Sequence, residues 1–124
     1  MKRIIEPILN SEIRVVWKTK NTLFMRERFF SNAAVQLHSH ANRETFYIRK
    51  GRGYFHIDNK IIEVHQGHVV VIPPGIVHGV ETYDSELDCV VTLQGEDDKE
   101  INRMYEQFCS VMPLSPPISI PPSL

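Results

Sequence analysis

Apolar and polar residues alternate along most of this chain in short runs, and turn-forming residues separate the runs. That pattern predicts strands rather than helices over roughly the first three quarters of the sequence. Ile4 to Leu9 and Ile13 to Trp17 read as short strands interrupted near Pro7, which lacks a donor for a central ladder and marks an edge or a strand laid on a partner. Thr22 to Phe30 is a longer β-rich run that carries aromatic side chains into the interior, and Ser31-Asn32 reads as a turn. Ala33 to His40 and Thr45 to Arg49 come next, separated by a break at Ala41-Asn42. Lys50 to Gly53 reads as a glycine turn, Tyr54 to Ile57 as a strand, Asp58-Asn59 as a hairpin turn and Lys60 to Val64 as its return. Gln66-Gly67 leads into Val69 to Ile72, Pro73-Pro74-Gly75 forms a rigid corner, and Ile76 to Thr82 and Leu87 to Leu93 flank a turn at Asp84-Ser85. So many short strands with Gly, Pro, Asn or Asp at the corners predict an all-β sandwich or barrel.

After Gly95 the period changes. Ile101, Met104, Tyr105 and Phe108 recur at helical spacing behind an acidic start, where a helix dipole favours negative charge. The final stretch, PLSPPISIPPSL, holds five prolines and suits only extended, polyproline-like chain. The expected organisation is a barrel over 1–95, a helix packed on it over 96–112 and a proline-rich tail over 113–124.

Composition narrows the function classes. At 124 residues the chain has room for one domain with one modest core. Fourteen basic and 15 acidic residues leave a net charge of −1, and the basic residues are scattered rather than striped, so no nucleic-acid partner is expected. The most apolar run, VVVIPPGIV, is broken by prolines and too short to cross a bilayer, so no membrane span is expected either. No secretory hydrophobic region develops in MKRIIEPILNSE, and a cytoplasmic location is the expectation. Cys89 and Cys109 lie in apolar contexts and read as free thiols, in keeping with a reducing compartment.

The candidate chemistry lies in LHSHANRETFYIRKG, Leu37 to Gly51. His38 and His40 stand two apart, a spacing that turns both rings to one face of an extended strand. Glu44 adds a carboxylate four residues after His40. Two imidazoles and a carboxylate on one wall make up most of a coordination sphere for a divalent transition metal. A further ligand is expected from His78, which the Pro73-Pro74-Gly75 corner aims through the backbone. His56 and His65 read as surface residues and His68 as structural.

Together the two segments resemble the cupin family. His38, His40, Glu44 and Gly51 match its first motif, and Gly67, Pro73, Gly75 and His78 match its second. The resemblance covers roughly Ala33 to Thr82. Asn32 stands where the first motif has glycine, His68 where the second commonly has aspartate, and Thr82 where it ends in asparagine. The resemblance implies a jelly-roll barrel of two antiparallel sheets with one metal ion held inside by His38, His40, Glu44 and His78. Iron is the leading expectation, with manganese, nickel, zinc and copper also used in the family.

A metal-dependent enzyme acting on a small organic substrate is the expected function. A non-haem iron dioxygenase is slightly favoured over an isomerase, lyase or decarboxylase, and the competing class is a binding or sensing barrel without turnover. Tyr54 and Cys89 are the candidate catalytic side chains, and Arg26, Arg28 and Arg43 are candidates for holding an anion, against the plainer reading of charges on an outer face. The Pro7 arm, the helix stripe and the apolar residues of the tail exceed what one barrel needs to cover itself, which predicts a homodimer.

Overall fold

A computed structural model of the chain describes residues 9–111. Seven strands precede one helix: β1 (Leu9–Lys18), β2 (Thr22–His38), β3 (Arg43–Ile57), β4 (Lys60–His65), β5 (Val69–Ile72), β6 (His78–Glu81), β7 (Leu87–Gln94) and α1 (Asp98–Val111). Every strand pair is antiparallel. The Pro7 arm and the proline-rich tail lie outside the described residues, as does the side chain of Phe108.

Two strands serve both walls of the barrel. Residues 22–29 of β2 pair with β7 and, from Leu23 on, with β1, whereas Ala34, Val35 and His38 pair with β6 and Ala34 also meets Leu9 of β1. Residues 43–51 of β3 pair with β7, its first half also with β5, and its second half with β4 and β6. One wall is therefore β1-β2-β7-β3-β5 and the other β2-β6-β3-β4, with β2 and β3 crossing from one to the other. This closes a small jelly-roll barrel, the all-β architecture the strand pattern predicts. Phe46 on the first wall meets Phe55 on the second edge to face, with ring centroids 4.8 Å apart, and the core fills in around this contact.

The turns expected at Ser31-Asn32 and across Lys50 to Gly53 prove to be bends inside continuous strands. Each bend turns on a residue with positive φ, Asn32 at 59° and Gly51 at 84°. Register shifts accompany both bends, opposite the first between Leu9 and Ser11 and just before the second between Ile48 and Lys50, and such bulges sharpen the twist and re-aim a strand without ending it. A Cβ on Gly51 would collide with the Glu86 carbonyl oxygen, the same oxygen that accepts the Arg52 N–H at 3.1 Å. At the other bend Thr82 acts as a staple. Its hydroxyl accepts the Ala33 N–H at 2.8 Å and donates to the Phe30 carbonyl at 2.6 Å. Asparagine and threonine thus satisfy the geometry at two of the three positions where the sequence departs from the cupin motifs.

Two other boundaries differ from the sequence pattern. β2 ends at His38 rather than running to His40, and β6 spans only His78–Glu81, with Val77 joined to the end of β3 by its carbonyl, which accepts the Asp58 N–H at 3.0 Å. The helix begins as expected: Asp97 accepts the Glu100 N–H at 3.0 Å, and the Glu100 carboxylate reaches back to the Glu96 N–H at 2.6 Å. Ile101 and Met104 bury its apolar stripe, and Lys18 of β1 reaches Asn102 at 2.8 Å.

Removing the Thr82 staple while keeping its shape measures what the two hydrogen bonds contribute. Thr82→Val should cost about 1–3 kcal/mol, since two main-chain groups lose their partner in a site that is 2% exposed. Gly51→Ala should cost more than about 3 kcal/mol, because the clash adds to the backbone strain. Urea denaturation of the two variants beside the parent chain measures both.

Candidate metal centre

The ladder places the first two imidazoles. His38 closes β2 and pairs in register with His78, which opens β6. Their rings stand side by side, with centroids 4.3 Å apart. His40 arrives differently, since it lies beyond the strand in the link to β3 and strand periodicity does not orient it. Hydrogen bonds hold that link. The Gly75 N–H donates to the His40 carbonyl at 2.8 Å, tying the link to the proline corner. The Asn42 side-chain amide donates to the Gln94 carbonyl at 3.2 Å and to the Glu100 carboxylate at 2.5 Å. The helix start therefore anchors the loop that carries His40. Glu44 stands near the start of β3, in register with Leu93 on one side and Ile72 on the other.

The three rings share one tautomer. Nδ1 of His38 lies 2.8 Å from the Gln36 carbonyl, that of His40 3.0 Å from the Asn42 carbonyl and that of His78 2.8 Å from the Ile76 carbonyl. A carbonyl oxygen only accepts, so each Nδ1 carries a proton and donates it. In the neutral rings Nε2 is then a bare lone pair. The ligand nitrogens of His38, His40 and His78 lie within 4.8 Å of one another. Glu44 Oε1 lies 3.2 Å from Nε2 of both His40 and His78.

Lone pairs and a carboxylate oxygen at such distances repel unless a cation is shared among them. Protons on the rings can supply it, and so can a metal ion. The three imidazole nitrogens are positioned to bind a metal ion, and Nδ1 hydrogen bonds to main-chain carbonyls fix ligand histidines in the required orientation. His38 and Glu44 are each 8% exposed and His78 only 1%, while His40 is more open and marks the side that faces solvent. Burial lowers the His38 imidazole below its ordinary range. Burial also acts against a charged His40, but the hydrogen bond and charge of Glu44 outweigh it and leave that ring raised. For Glu44, burial pushes upward, yet the hydrogen bonds and charges of His40 and His78 prevail and hold the carboxyl at about 2.

The other candidate side chains lie elsewhere. Tyr54 sits on the opposite face of β3 from the buried Phe55 and packs against Tyr83, with centroids 5.5 Å apart. Cys89 is fully buried in the core, where burial keeps its thiol neutral by raising it far above the usual range. Arg26 and Arg28 pair with Asp88 and Glu86 at 3.1 and 3.2 Å, as an outer-face ladder does. His56 meets Glu81 at 2.9 Å, half-buried, and His65 and His68 pack on each other with centroids 4.1 Å apart. One charged residue is not singled out by the motifs. Glu27 faces the barrel interior at 5% exposure. Its signal is faint but present, since it shares alternate positions with Leu23, Met25 and Phe29.

Fold and site together define a small β-barrel with a histidine cluster suited to a metal ion. The model of the cupin domain family matches residues 26–94, and the chain belongs to the cupin family. An uncharacterized protein of Methanocaldococcus jannaschii is 41% identical over 70 residues, covering 52% of this chain and 56% of that relative. The chain thus aligns with little more than half the length of the curated relative it matches. Among solved structures, a predicted oxalate decarboxylase of Thermotoga maritima is 25% identical with a TM-score of 0.64, covering 69% of this chain and 81% of that one. The polyketide cyclase RemF of Streptomyces resistomycificus is 17% identical with a TM-score of 0.67, over 84% and 85% of the two chains. The DMSP lyase DddQ of Ruegeria pomeroyi is 17% identical with a TM-score of 0.66, over 70% and 48%. The last two likenesses concern the fold.

Metal content tests the site directly. His78→Ala should abolish stoichiometric binding of a divalent transition metal. Asn42→Ala, which leaves every imidazole in place and loosens only the His40 loop, should weaken affinity by about 10-fold. Competition against a chromophoric chelator measures both variants on one scale.

Proposed function

We propose that the chain is a metal-dependent enzyme acting on a small, oxygen-bearing organic substrate, with His38, His40, Glu44 and His78 as the ligand set. The observation that carries this reading is the convergence of imidazole lone pairs on a buried carboxylate, with its open side at His40. Three nitrogens and one oxygen leave positions free for water or substrate, as a reactive site requires. A divalent ion bound there supplies Lewis acidity to a substrate oxygen. The protein supplies the rest. The main-chain carbonyls lock the rings, the Glu44 charge offsets part of the cation's, and the apolar walls exclude water and strengthen electrostatic interactions inside.

Two reaction types suit these residues. The nitrogen-rich set with one carboxylate supports iron and a dioxygenase reaction. Isomerisation, lyase cleavage or decarboxylation is supported by the 25% identity to a protein described as a predicted oxalate decarboxylase. Reconstitution with iron, manganese, nickel or zinc, followed by a screen of small keto acids, enols and catechols, separates the two. Product should form only with metal present, and Glu44→Gln should lower turnover by at least about 100-fold. Substrate-dependent oxygen uptake with iron marks the dioxygenase, and product without oxygen uptake marks the second type. Ligand retention without product under every metal would contradict the enzyme reading.

A further inference from the structure

The ligand set leaves one buried acid unused. Glu27 lies within β2, on the face that Leu23, Met25 and Phe29 turn inward. Its register partner on β7 is Cys89, which pairs in turn with Ile48 on β3. Met25, Phe29, Cys89 and Ile48 are each 4% exposed or less, so the carboxyl is set into an apolar wall. No described residue gives Glu27 a hydrogen bond or an ion pair. The neighbouring arginines do not serve, because Arg26 and Arg28 turn outward to Asp88 and Glu86.

A carboxyl with no protein partner at a position 5% exposed gains nothing from packing that a methionine or leucine would not give. Packing therefore gives no reason for a glutamate at this position. Its place in the barrel does. Glu27 on β2 and Glu44 on β3 are both buried and lie opposite Cys89 and Leu93 of the β7 strand between them, so the two acids share one interior, and burial first and the Glu44 charge second raise the Glu27 carboxyl. Among the described residues Glu27 is the sole buried carboxyl or imidazole outside the ligand set.

We propose that Glu27 is the proton-exchanging residue of the barrel interior, meeting a small organic ligand held at the histidine site and passing one proton to or from it. This rests on the metal-dependent reading above and adds a residue and a ligand class to it. The step balances without an oxidant or reductant. With Glu27 ionised, a C–H or O–H bond of the ligand breaks, its electron pair stays on the ligand, and the proton forms the carboxyl O–H. With Glu27 protonated, that proton goes to a ligand carbon left holding an electron pair, as when a bond to a carboxylate breaks and carbon dioxide leaves. Charge points to the ligand class. A divalent cation and ionised Glu44 leave the interior with one positive charge. A monoanion beside neutral Glu27 brings an apolar barrel to zero, and so does a neutral acid beside ionised Glu27. The two states differ by the one proton that Glu27 carries, which suits a small oxyacid, keto acid or enol of charge zero or minus one.

The test uses full-length metal-loaded protein, the variants Glu27→Gln and Glu27→Met, and acetohydroxamate as a small, oxygen-donating probe of the site. Difference infrared spectroscopy should show a neutral carboxylic-acid band in the parent protein that both variants lack. Adding the probe should shift that band in metal-loaded protein and leave it unmoved in metal-free protein. Glu27→Met should keep its full metal content, melt a few degrees higher, and bind the probe about 10-fold more weakly. Metal-dependent probe binding that is equal in all three proteins, with an unmoved band, would overturn the role of Glu27 alone. A parent protein that neither retains a metal nor binds the probe would overturn the metal-centre reading and this inference with it. A fall in the melting temperature of both variants, with unchanged probe affinity, would show Glu27 to be structural and overturn the inference.

Discussion

The contact between the Glu44 carboxylate and the inner nitrogens of His40 and His78 sets the charge balance on which the rest of the site depends. Oε1 stands 3.2 Å from each of two Nε2 atoms whose rings have already committed their Nδ1 protons to main-chain carbonyls. Three acceptors facing one another in a buried site are tolerable only around a cation. In a metal-free chain ring protons fill that role, which is why His40 is raised and Glu44 held down. A divalent ion held by the three imidazoles would do the same task with more charge.

The barrel is what keeps these groups in place. β2 and β3 each cross from one wall to the other, and the site sits where one strand ends and the other begins. The Thr82 staple and the Gly51 bend fix those crossings. The helix, though outside the barrel, also reaches the site, since Glu100 holds Asn42 and Asn42 holds His40. A loop residue so tethered can present a ligand with strand-like precision, which explains how His40 joins a cluster it does not share a strand with.

Much of this is legible in the residues, and the gaps have physical causes. The spacing of His38, His40 and His78 picks out the imidazole cluster, because only a few side chains can hold a metal and the proline corner restricts where His78 can go, and Glu44 meets two of those rings at 3.2 Å. The bends at Asn32 and Gly51 read as turns in the sequence because a turn and a bulge ask for the same positive φ from the same residue types. Thr82 looks like a departure from pattern, and only the placement of Phe30 and Ala33 around its hydroxyl shows that it substitutes functionally. Glu27 hides among charges, since Arg26, Glu27 and Arg28 together resemble a solvated face. Which member of that run turns inward depends on strand parity, and a bulge can shift parity by one residue.

X-ray absorption spectroscopy of the metal-loaded protein reads the ligands themselves rather than their consequences. The shell should contain nitrogen and oxygen only, with outer-shell scattering from three imidazole rings, falling to two rings in His78→Ala protein that is forced to load. A shell containing sulfur, or one with a single imidazole or none, would contradict the histidine metal centre.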